Sequence, residues 1–78
     1  MIEEHDMVAL TKNLPGTPFV VGDCACIVHI YPNAVAYELE FCAGNGHTIG
    51  VHTAEASSVR PLTSRDVKHV RMADLAAA

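Results

Sequence analysis

Three cysteines are the side chains in this 78-residue chain with the clearest potential for chemistry. Cys24 and Cys26 are separated by one residue, and Cys42 follows the next apolar run. A zinc site needs about four Cys or His ligands, and strong sequence signatures place two of them on a tight knuckle such as Cys-x-x-Cys. Because Cys-x-Cys within a strand is a weak signal, we expect small buried thiols, and we predict neither a metal site nor a cofactor.

Redox catalysis is also not predicted for these cysteines. A reactive thiolate needs a neighbouring Lys, Arg or helix N-terminus that lowers its pKa. The residues next to Cys24 and Cys26 are Asp23 and apolar side chains, which act in the opposite direction. Three is also an odd number for a disulfide framework, so reduced thiols are expected.

A second group combines a histidine with two carboxylates. If Pro32 to Val35 form a hairpin loop, Tyr31 faces Ala36, His29 faces Glu38, and Glu40 lies on the same face. Such a group could respond to pH or act as a general base. No nucleophile accompanies it, so we predict no catalytic residues and favour a solvated sheet face with balanced charges, on which His29, Tyr31, Glu38 and Glu40 are a candidate interaction surface.

The elements that would position these residues are short strands. The pattern predicts a strand in "DMVAL", a loop over residues 11–22, a hairpin from "CACIVHIY" and "AYELEF", a strand at "TIGVH" and an edge strand at "VRPL". The predicted core face of the hairpin holds Cys24, Cys26, Val28, Ile30, Tyr37, Leu39 and Phe41. The predicted outer face holds Ala25, Ile27, His29, Tyr31, Ala36, Glu38, Glu40 and Cys42.

The fold class follows from this spacing. Short strands with turns every 8 to 12 residues indicate an all-β domain, a small barrel or sandwich of about five antiparallel strands, over residues 1–63. Residues 64–78 are predicted to form a tail with a short C-terminal helix over residues 64–75. Thr63 and Asp66 have the spacing of a capping box, and Val67, Val70 and Leu75 would share one side of that helix.

Charge is distributed unevenly along the chain. Residues 1–59 contain one Lys and seven acidic residues, whereas residues 60–78 contain four basic and two acidic residues. The acidic body argues against binding to a nucleic-acid backbone. The basic side chains Arg65, Lys68 and Arg71 complete the candidate interaction surface. The absence of an evident leader or membrane-spanning run leads us to expect a cytoplasmic protein with no membrane partner.

The order of several motifs resembles a family of small bacterial proteins described as a domain of unknown function. The motifs are "DMVAL", "LPG", "GDCACIVHIYP", "AYELEF", "GHTIGV" and "VRPL", and they cover roughly residues 5–62. The resemblance implies an SH3-like β-barrel, similar to KOW-type modules and nitrile hydratase β-subunits, and it implies no catalytic residues. Ala25 departs from the family's pattern, which has a glycine there, so a bulge with a positive backbone angle is disfavoured at this position.

These observations favour a non-enzymatic module that binds a partner protein or a second copy of itself. One alternative is a small-ligand or metal-binding accessory protein that uses Cys24, Cys26 and a histidine. Another is a nucleic-acid-binding barrel of the KOW type, for which only the basic tail offers contacts to phosphate. The identity of the partner is not encoded in any motif.

Overall fold

The computed structural model of the chain describes residues 2–75 and shows an all-β protein. Five strands form one antiparallel sheet in the order β4-β3-β2-β1-β5. The strands are β1 (Met7–Leu10), β2 (Cys24–Ile30), β3 (Ala36–Cys42), β4 (Thr48–Glu55) and β5 (Val59–Pro61). The predicted strands are therefore confirmed, with differences of one to three residues at their ends.

The hairpin between β2 and β3 closes as the sequence predicts. The backbone N–H of Tyr31 donates to the carbonyl of Ala36, so the loop runs from Pro32 to Val35. Its turn has Pro32 in the second position and Asn33, with φ 62°, in the third. Proline and asparagine suit these two positions of a type II turn, because proline presets φ and asparagine tolerates a positive φ.

A β-bulge at Val28 changes which residues of β2 face the core. His29 pairs with Glu38 as predicted, but Ile27 pairs with Leu39, so Val28 is an extra residue on β2. A one-residue shift reverses the faces of a strand. The predicted inward position of Cys24, Cys26 and Val28 is therefore wrong. Ala25 and Ile27, which were predicted to face outward, are buried in the core.

The sheet curls so that its two edges approach each other. β4 and β5 are the outermost strands, which in a flat five-stranded sheet would lie about 19 Å apart. They are joined by only three residues, the 3-10 turn Ala56–Ser58, and the chain from Glu55 to Val59 can span at most about 14 Å. The short connection is possible only because the strands bend around a shared core.

Two stacked phenylalanine rings close one part of this core. The centroids of Phe19, from the loop before β2, and Phe41, from β3, are 3.9 Å apart, and the rings are 8° from parallel. Gly50 on β4 pairs with Phe41 and makes room for this stack, because a Cβ at Gly50 would lie 2.9 Å from Cε2 of Phe19. The other large, fully buried side chains are Val8, Ile27 and Leu39.

The prediction of a C-terminal helix over residues 64–75 is wrong for residues 66–74, which would form most of that helix. After a turn at Ser64 and Arg65, residues 66–74 have no regular secondary structure. An isolated helix of this length is marginal unless one face is buried. Val67 and Val70, which would form that face, are exposed. Residues 76–78 of the predicted tail lie outside the described residues.

Candidate functional site on the outer face of the sheet

The face of the sheet that points away from the core carries most of the polar and titratable strand residues. Cys26 pairs with both Met7 and Glu40, and His29 pairs with Glu38, which places these residues on one side. The outer face thus comprises Arg60, Ala9, Met7, Cys24, Cys26, His29, Glu38, Glu40, Cys42, Val51 and Thr53.

One end of the outer face carries a connected group of side chains. The rings of His29 and Tyr31 meet edge to face with centroids 4.7 Å apart. The hydroxyl of Tyr31 donates to Oε1 of Glu38 at 3.2 Å, and the hydroxyl of Thr53 donates to the same oxygen at 2.5 Å. Contacts from Tyr31, which directly follows β2, and from Thr53 on β4 therefore fix the position of this carboxylate.

Glu40 extends this group along β3 and accepts a hydrogen bond from the hydroxyl of Thr48. We call His29, Tyr31, Glu38 and Glu40 the outer patch. Three exposed valines lie close by: Val28 at the bulge of β2, Val35 in the hairpin loop and Val51 on β4. The outer patch thus combines aromatic rings and acidic groups with apolar residues beside them.

The thiols lie on the outer face, contrary to the prediction that Cys24 and Cys26 belong to the core and lie away from Cys42. Burial raises the pKa of the Cys26 thiol, and the negative charges of Glu40, Cys42 and Asp6 raise it further. This shift disfavours the thiolate that redox chemistry and metal binding require. Among residues 2–75, no group of three or more His, Cys, Asp or Glu side chains is arranged to hold a metal ion.

The other end of the outer face is crossed by residues 67–75, which we call the strap. Its first anchor is Asp66, which receives hydrogen bonds of 2.9 and 2.7 Å from the guanidinium of Arg60. Asp66 also accepts the backbone N–H of Thr63 at 2.7 Å. These contacts, led by the hydrogen bonds from Arg60, hold the pKa of Asp66 well below its usual range.

The second anchor lies within the strap. The guanidinium of Arg71 donates to the carboxylate of Asp23 at 2.8 and 2.5 Å and to the carbonyl of Pro18 at 2.8 Å. Burial of Asp23 acts to raise its pKa. The hydrogen bonds from Arg71 and from the backbone N–H of Val20 outweigh that effect, so the pKa of Asp23 is lowered overall.

The strap is loosely packed along its length. Cavities of about 270 and 360 Å³ lie beneath it, and Cys24, Lys68 and His69 line both of them. Val67, Val70 and Met72 are 91%, 89% and 95% exposed. Within the described residues, no backbone hydrogen bond joins the strap to the rest of the protein. The strap is therefore held mainly by side chains at its two anchors.

The structure divides the predicted interaction surface into two parts. His29, Tyr31 and Glu38 are brought together, with Glu40 beside them. Arg65 lies in the turn before the strap, whereas Lys68 and Arg71 lie on the strap itself. Sequence reasoning missed Asp23, Arg60 and Asp66 as anchors. The Thr63 and Asp66 spacing was a usable signal, since the Asp66 carboxylate accepts the backbone N–H of Thr63 as in a capping box, although no helix follows.

The fold and the outer face define a small all-β domain with a curled antiparallel sheet and a strapped surface. The chain belongs to the family described as Domain of unknown function (DUF4926), whose model matches residues 4–61. No curated protein and no solved structure matches the chain. In the described part of the chain, no helix is long and apolar enough to cross a membrane.

Proposed function

We propose that this protein is a non-enzymatic interaction module of the bacterial cytoplasm, built on an SH3-like barrel, that binds a partner protein through the outer patch. The observation that carries the proposal is the network in which Tyr31 and Thr53 both donate to Glu38 while the ring of His29 packs against Tyr31. A surface already fixed by such contacts loses little side-chain freedom on binding. Aromatic residues are also enriched at protein interfaces.

The chemistry of the outer patch indicates the kind of partner. Glu38 and Glu40 supply negative charge, and Val28, Val35 and Val51 supply apolar surface close to it. A partner that presents Lys or Arg beside apolar side chains would match both properties. Nucleic acid fits less well, since Arg60 and Arg71 are engaged in ion pairs with Asp66 and Asp23.

The barrel assignment draws on the curled sheet, in which three residues join the two edge strands. Cytoplasmic location suits a chain with three unpaired thiols, since disulfides are rare in that reducing compartment. The thiols thus favour an intracellular domain over a secreted one.

The experiment is affinity capture with the full chain, followed by purification of the captured protein and titration calorimetry. Tyr31→Ala removes the hydroxyl that binds Glu38 and the ring that contacts His29, so it should weaken binding by at least about tenfold. Lys12→Ala, an exposed change in the loop after β1, is the matched control and should bind like the wild type. Equal binding by the Tyr31→Ala variant would refute the outer patch as the binding site.

A further inference from the structure

The strap presents an unusual combination of polar anchoring and apolar exposure. A segment that packs on its own domain normally buries its apolar side chains. Here Val67, Val70 and Met72 point to solvent while two cavities remain beneath the strap. Both cavities are open to solvent, so the strap covers this part of the sheet incompletely.

The anchor within the strap is equally available to a second copy of the chain. Arg71 reaches Asp23 and the carbonyl of Pro18 only through its side chain. The other anchor, Arg60 with Asp66, holds the turn before the strap on its own sheet. Opening the strap therefore breaks the ion pair of Arg71 and the limited packing of residues such as Ala73, and it frees an acidic site at Asp23 that Arg71 of another copy can occupy.

We propose that two copies of this protein exchange straps, so that Arg71 of each copy binds Asp23 of the other. This inference deepens the proposed role as an interaction module and names a second copy as the partner at the strapped end of the outer face. The exchange is reciprocal, as in a two-fold symmetric dimer with a shared interface. It brings Val67, Val70 and Met72 of both chains between the two outer faces, where they leave water.

Exchange competes with the closed form, in which the same contact is made within one chain. The tethered Arg71 has a high effective concentration at its own Asp23, so wild-type protein dimerises only at high concentration. Removing the internal contact while keeping the intermolecular one should therefore strengthen the dimer. Salt should weaken it, because the anchor is a partly exposed ion pair.

A reversal of charge tests the proposal directly. In the Asp23→Arg variant and in the Arg71→Asp variant, the two anchor positions carry like charges, so neither protein can close its strap or form the exchanged dimer with itself. In an equimolar mixture both intermolecular contacts again join opposite charges. We expect sedimentation equilibrium to show a heterodimer at least about tenfold tighter than the wild-type dimer, and to show each single variant as a monomer.

Controls separate exchange from misfolding. The double variant Asp23→Arg/Arg71→Asp restores an internal pair with reversed polarity and should behave like the wild type. Asp23 also accepts the backbone N–H of Val20, so Asp23→Arg could perturb its loop. Asp23→Asn retains an oxygen acceptor for that N–H but lacks the charge, and it should abolish the wild-type dimer at millimolar concentration.

Two results would overturn the proposal: a monomeric mixture of folded variants, or a wild-type dimer that Asp23→Asn leaves intact. The Tyr31→Ala variant distinguishes this inference from the proposed function, since it should exchange straps normally. Strap exchange without any Tyr31-dependent partner would refute only the binding role of the outer patch. Partner binding without exchange would refute only the dimer.

Discussion

Arg71 donates two hydrogen bonds, of 2.8 and 2.5 Å, to the carboxylate of Asp23, which lies 48 residues earlier in the chain. The contact ties the strap to the loop that leads into β2. Charge-assisted bidentate pairs of this kind are stronger and more directional than ordinary hydrogen bonds. Because the strap has no backbone hydrogen bonds to the sheet in the described structure, this guanidinium and the Arg60–Asp66 pair are the main polar contacts that hold it there.

Removing the guanidinium should loosen the strap without unfolding the sheet. Arg71→Gln leaves Lys68 as a site for trypsin within the strap, and limited proteolysis should cleave after Lys68 about three to five times faster than in the wild type. Arg65→Gln is the control, because no side-chain contact of Arg65 anchors the strap. An unchanged cleavage rate in Arg71→Gln would show that other contacts hold the strap.

The strap should also open in acid. The folded-state pKa of Asp23 is below its ordinary value of about 3.9, so the contact stabilises the closed form fully above that value and is lost as the pH falls below it. NMR signals of the Arg71 Nε–H and the Val70 amide should shift together as the pH falls from 7 through this range. In Asp23→Asn the same signals should not follow that titration.

The three thiols should react at different rates with a disulfide reagent. Cys42 is exposed and should react first, whereas burial raises the pKa of Cys26 and should make it slow. Cys24 lines both cavities beneath the strap, so its reaction should accelerate in Arg71→Gln. Mass spectrometry of the labelled peptides checks this order. An equal reaction rate of Cys24 in the wild type and in Arg71→Gln would contradict the prediction.

Gly50 should be required for the packing of the two phenylalanines. A methyl group there would lie 2.9 Å from Cε2 and 3.1 Å from Cζ of Phe19, so the ring must move off its stack on Phe41. We expect Gly50→Ala to lower the free energy of unfolding by about 1–3 kcal/mol in urea titrations. Gly44→Ala, where an added Cβ meets nothing within 4 Å, should have a much smaller effect.

Ala34 should be a site of stored backbone strain. Its φ of 52° lies in the left-handed region, which costs an L-residue about 1–2 kcal/mol. Ala34→Gly removes that cost but adds backbone entropy to the unfolded chain, so the protein should gain about 0.5–1 kcal/mol of stability. The control Ala36→Gly, in β3, should be destabilising. A stabilised Ala36→Gly variant together with an unchanged Ala34→Gly variant would contradict the assignment of strain to Ala34.

Much of the fold could be predicted because local signals agreed with one another. The Pro32 and Asn33 turn fixed the hairpin loop, and that loop correctly paired His29 with Glu38. The bulge at Val28 could not be predicted, since its residue type resembles its neighbours and no positive φ marks it. This single miss reversed the predicted orientation of Cys24 and Cys26.

The tail shows a different limit of sequence reasoning. Asp66 accepts the backbone N–H of Thr63 as their spacing predicts, but it also binds Arg60, and the chain beyond it extends toward Asp23. A contact between residues 48 positions apart leaves no periodic signal in the sequence. Among the residues of the predicted interaction surface, those on the strands lie together because the strand register fixes their positions. The positions of those in the tail depend on the contact between Arg71 and Asp23.

The bulge at Val28 also makes the accessibility of the thiols depend on strand pairing. If Val28 paired with Leu39 as a regular strand residue while His29 stayed opposite Glu38, the first half of β2 would turn over. Cys24 and Cys26 would then enter the core, while Ala25 and Ile27 would be placed in water. The pairing of one residue in the middle of a strand thus determines whether the cysteine thiols face solvent or the core.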